Sequence, residues 1–120
     1  METQKPTVPQ IISKMKESMN GELPNVVKLV SEKMPEMLYE QIRSNMFAMP
    51  ENGALENETR TLIYLGVAIA TGSKTCIKAM LNKAKAQNIS KEKLIETYKV
   101  VRYAESSRVM GNAEMLFEEL

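Results

Sequence analysis

The chain has 120 residues, 43% of them apolar and 26% charged, with a net charge of +1. This composition fits one folded domain over residues 1–120, argues against disorder and gives no general electrostatic bias toward nucleic acid or membrane. One cysteine and no histidine remove intrachain disulfides, Ser/His and Cys/His nucleophilic pairs, and His-containing metal sites.

Carboxylates alone can hold a hard metal, but no EF-hand-like spacing is present. The five glycines are scattered and form no phosphate loop, so neither a metal nor a cofactor is expected. The longest apolar run, Leu62 to Ala70, is nine residues, well short of the roughly 20 needed to span a bilayer. METQKPTVPQ lacks an apolar signal-peptide core, and a lone cysteine agrees with a reducing compartment. The expected location is cytoplasmic, with no membrane partner.

Apolar residues recur at helical spacing along almost the whole chain. Val8, Ile12, Met15 and Met19 predict a first helix stopped by Asn20-Gly21. Leu23, Val27, Val30 and Met34 repeat the pattern until Pro35, which suits the first turn of a third helix. Leu38, Ile42, Met46 and Met49 form that helix's stripe, and PENGALEN after it reads as a loop.

Asn57 or Glu58 opens the next helix, over about 58–71. Its segment LIYLGVAIA is apolar all round, which predicts a central helix enclosed by the others. Ile, Val and Tyr also favour strands, but no second strand candidate exists to pair with it. Gly66 allows a neighbouring helix to approach closely. Ser73 then caps a helix to about Gln87 with the inner stripe Ile77, Met80, Leu81 and Ala84. Ser90 caps another, with Glu92 in its first turn and Leu94, Ile95, Tyr98 and Val101 as its buried face. A last helix, interrupted or started near Gly111-Asn112, carries Met115, Leu116 and Phe117. The expected architecture is all-α, about six helices around the apolar one. Ten methionines fit either gap-filling in the core or an adaptable contact surface.

The ordered segments resemble the carboxymuconolactone decarboxylase and alkylhydroperoxidase D-like family over roughly residues 23–116. The carrying residues are Met34-Pro35-Glu36, Ala54-Leu55, Glu58 to Ile63, Val67 to Gly72, Cys76, Ala84 to Ala86 and Ser90 to Glu96. The resemblance implies an all-α bundle and a homo-oligomer, commonly a trimer or hexamer, with a small-molecule substrate where the member is an enzyme. Peroxidase members of the family are similar in carrying Cys-x-x-Cys-x-x-x-His, with a proton-relay glutamate about four helical turns upstream. Here Cys76 matches the second cysteine, while Ser73, Met80 and Thr61 stand at the other three positions.

Cys76 is therefore the one candidate catalytic residue. With Ser73 as the cap it is the third residue of its helix, where the dipole favours an anion, and Lys74 and Lys78 add positive charge. A thiol-dependent peroxidase would oxidise it to a sulfenic acid. Its cycle would need an external thiol or another subunit's cysteine, and a base such as Glu58. The competing reading is a non-catalytic binding or assembly module in which Cys76 packs beside Ala79 and Met80.

Charge is unevenly spread. Residues 74–102 hold eight basic and two acidic residues, and residues 103–120 hold one basic and four acidic. The basic middle is either a solvated lysine face or meets the acidic C-terminal segment of another subunit. Aromatic residues for stacking bases are few there, so nucleic acid is not the expected partner.

Overall fold

A computed structural model describes residues 5–120, and among these the only regular elements are seven helices. The first, α1 (Val8–Ser18), begins with a capping box. The Thr7 hydroxyl accepts from the Gln10 N–H at 3.3 Å, and the Thr7 N–H donates to the Gln10 side chain at 2.9 Å. Asn20 and Gly21, both with positive φ, turn the chain. The next two helices, α2 (Asn25–Lys33) and α3 (Glu36–Ala48), follow Pro24 and Pro35 and pack on each other. Pro35 is the residue just before α3, where a missing N–H costs nothing.

Residues 57–112 hold the rest of the bundle: α4 (Asn57–Thr71), α5 (Lys74–Ala86) and α6 (Lys91–Asn112). Gly72, at φ 75°, ends α4, and the Ser73 N–H returns to the Ala68 carbonyl at 3.0 Å. Ser73 then caps α5, so a two-residue corner folds α5 back along α4. Helix α6 packs on another side of α4, where a Cβ on Gly66 would meet Val101 Cγ2 at 3.2 Å. Leu65, Ala79 and Met80 form the core, with Met19, Ile69, Ile77 and Leu94 against them. Asn82 Nδ2 donates to Glu22 at 3.0 Å and ties the α1–α2 turn to α5. The last element, α7 (Glu114–Glu118), follows a break at Ala113.

Two expectations need correction. The apolar helix is not enclosed within the protomer. Thr61, Leu65 and Ala68 of α4 are buried, but Ile63 is 52% and Val67 59% exposed, because α5 and α6 leave its third side open. The predicted inner stripes are also narrower than read. Leu81, Ile95, Tyr98 and Met46 are exposed, and in α1 it is Ile11 that is buried. The C-terminal expectation holds: α6 ends at Asn112 and the short α7 carries Met115, Leu116 and Phe117, which gives six helices besides the apolar α4.

The protomer measures 67 × 32 × 29 Å with a radius of gyration of 18.0 Å, against about 14 Å for a compact domain of this length. No helix among the described residues is long and apolar enough to cross a membrane.

Candidate functional site

Cys76 sits in the first turn of α5, partly buried, with its own N–H held by the Ser73 hydroxyl at 3.4 Å. Its sulfur lies 3.6 Å from the phenol oxygen of Tyr64 on α4. That hydrogen bond, then burial, then the sulfur's charge push the Tyr64 phenol above its ordinary 10.0. The phenol thus stays protonated through the neutral range, and either it or the thiol can donate in this contact. The α4–α5 corner creates this pairing, since the two residues lie twelve apart on antiparallel helices.

The positions that would carry a proton relay are filled by inert groups. Thr61 is fully buried, and its hydroxyl bonds the Gln87 side-chain oxygen at 2.9 Å while lying 3.1 Å from the Asn57 carbonyl. Met80 is in the core. Glu58, the candidate base, is taken by Lys93 at 2.5 Å, and this contact also raises the lysine's pKa. Six residues separate Glu58 from Tyr64, about 9 Å of helix rise. Lys78 reaches Glu22 at 3.8 Å, and Lys74 is exposed. The structure therefore brings Ser73, Tyr64 and Cys76 together and leaves Glu58 apart.

Two apolar grooves flank the open side of α4. One, of about 530 Å³, runs between α4 and α6 past Ile63, Gly66, Val67 and Val101. The other, of about 340 Å³, lies between α4 and the end of α3, with Tyr64 and Arg60 in its wall. Arg60 is buried and bonds the Leu55 carbonyl and the Asn57 side chain, which pins the preceding loop to α4. Among the described residues no three carboxylate or thiol groups converge.

Sequence reasoning missed Tyr64. Its signal was a phenol in an otherwise hydrocarbon run, since a partly buried tyrosine hydroxyl usually finds a partner. Arg60 was missed in the same way, as a cation within the first turn of an apolar helix.

A search of curated proteins finds no match to the chain. The model of the carboxymuconolactone decarboxylase family matches residues 37–116, a span that starts in α3, takes in α4, α5 and α6, and ends in α7. That match covers two thirds of the sequence and includes the Tyr64–Cys76 pair and both grooves. The chain belongs to the carboxymuconolactone decarboxylase family.

Proposed function

We propose that the protein is a single-thiol redox enzyme that reduces hydroperoxides at Cys76. The observation that carries this reading is the Tyr64 phenol 3.6 Å from the sulfur, a hydroxyl able to share a proton with the only thiol. In the proposed step the Cys76 thiolate attacks the terminal peroxide oxygen. The S–O bond forms as the O–O bond breaks, sulfur loses two electrons, and the departing alkoxide takes the Tyr64 proton, which solvent replaces. A small external thiol condenses with the sulfenic acid, releasing water and leaving a mixed disulfide. A second such thiol restores Cys76 and leaves as the oxidised pair.

The experiment is dimedone trapping of Cys76 after dilute cumene hydroperoxide, followed by mass spectrometry of the peptide. Rapid trapping at Cys76, slowed in Tyr64→Phe and absent in Cys76→Ser, is the expected result. A thiol that stays unmodified until the protein is denatured would overturn the proposal.

A second reading, a non-catalytic binding or assembly member of the family, is favoured by the relay positions. Thr61 and Met80 are buried and satisfied, and neither can move a proton in the neutral range. On that reading Tyr64 and Cys76 are packing partners, and Cys76→Ser changes neither ligand binding nor assembly.

A further inference from the structure

Arg60 is 7% exposed, yet the two oxygens that hold its guanidinium, the Leu55 carbonyl and the Asn57 side chain, are both uncharged. Lys83 of α5 stands half-buried beside it, near enough for the guanidinium to disfavour the charged ammonium. The ion pairs among the described residues join Arg43 to Glu40, Lys78 to Glu22, Lys93 to Glu58 and Arg108 to Glu105, and neither of these two cations is among them. The acids nearest Arg60 in sequence are engaged elsewhere. Glu58 bonds Lys93 of α6, and Glu56 acts on the same lysine. A cation drawn out of water without an acid beside it costs stability, and two side by side cost more.

A third donor completes the cluster. Gln87 lies one turn beyond Lys83, and its side-chain oxygen accepts from the hydroxyl of Thr61, the residue after Arg60. That bond leaves the amide N–H₂ as the free end of the side chain. The α4–α5 seam thus gathers a guanidinium, an ammonium and an amide N–H₂, all donors, with no acid to receive them.

We propose that this cluster binds a small oxyanion, the carboxylate or phosphate group of a ligand. Lys83 and Gln87 make the contacts. Arg60, already held and covered, supplies positive charge from behind them. An oxyanion accepts from both donors at once and relieves the repulsion between the two cations. Lys83 is seven residues from Cys76 along α5, about 10 Å of helix rise, and the site stands whether or not that thiol reacts.

Thermal melts of the full chain at pH 7 and constant ionic strength test the proposal, with millimolar sodium phosphate or sodium acetate replacing part of the chloride. Such low concentrations avoid the general stabilisation that concentrated phosphate gives. The native melting temperature is expected to rise by about 5 °C for each tenfold increase in oxyanion above its dissociation constant. A response to phosphate alone assigns the site to a phosphate group, and a response to acetate alone assigns it to a carboxylate. Lys83→Met should lose the response, whereas Lys85→Met, which removes an exposed charge from the same helix, should keep it. Gln87→Glu keeps an acceptor for Thr61 and places an acid beside both cations. It should melt higher than native in chloride and no longer respond to oxyanion. A native protein that melts at one temperature in chloride, phosphate and acetate would overturn the proposal. So would a Lys83→Met protein, folded by circular dichroism, that keeps the response, or a Lys85→Met protein that loses it equally.

Discussion

The Thr61 hydroxyl of α4 donates to the side-chain oxygen of Gln87, the residue that closes α5, at 2.9 Å. Thr61 is fully buried, so this bond joins one end of the α4–α5 pair where water cannot substitute. Thr61→Val keeps the shape and removes the donor. It should lower the unfolding free energy by about 1–3 kcal/mol, read as a lower urea midpoint with an unchanged slope.

Leu65 faces Ala79 and Met80 in the core. Leu65→Ala should cost about 2–5 kcal/mol, the transfer term plus the cavity left behind. Chemical denaturation measures it directly, and a loss under 1 kcal/mol would mean that the core lies elsewhere.

At Gly66 the Val101 side chain of α6 lies against α4. A methyl there meets Val101 at 3.2 Å, a contact that a small shift of Val101 relieves while Ala regains helix propensity. A larger side chain has no such escape. Gly66→Leu should therefore destabilise by about 1–3 kcal/mol while Gly66→Ala stays close to native, compared by thermal melts of the two variants.

Tyr64→Phe removes the phenol hydroxyl from beside the Cys76 sulfur and little else, because Tyr64 is 40% exposed. Stability should change by about 1 kcal/mol or less. Modification of Cys76 by peroxide or iodoacetamide at fixed pH should slow several-fold, followed by intact-mass spectrometry. Equal rates in the two proteins would make the phenol a bystander.

Burial, then the nearby Arg60 guanidinium, hold Lys83 below its ordinary 10.5. At neutral pH the lysine is charged in both folded and unfolded chains, so the full cost of placing it there is present. As pH rises from the lowered folded value towards 10.5, the folded state sheds its proton first. The unfolded state then binds more protons, and this contribution makes stability rise with pH. Lys83→Met should melt higher than native at pH 7, and the margin should narrow as pH approaches 10.5. A margin that widens with pH would reverse the assignment.

Helix boundaries were legible wherever a local stop or start signal existed. Asn20-Gly21, Pro35, Ser73 and Ser90 all mark helix ends in the structure, because capping and positive φ are local properties of the chain. The family was legible too, from segments around Cys76 that fall within the matched residues. The open side of α4 was not. A run such as LIYLGVAIA reads the same whether its cover comes from its own chain or from elsewhere, since hydropathy says that a face avoids water and not what shields it. Leu81, Ile95 and Tyr98 misled for the same reason. At the site, Cys76 stood out by being unique, whereas Tyr64 needed the antiparallel packing of α4 and α5 before its role beside the sulfur was visible.

Gly72 and Ser73 also set how the thiol is aimed. Tyr64 stands eight residues before Gly72 and Cys76 four after it, so their encounter is counted outward from that hinge in whole residues. One residue added between Ser73 and Cys76 would swing the sulfur about 100° around its axis, out of the phenol's reach, with every helix still intact. The residue count across that bend is thus what sets the sulfur against the phenol.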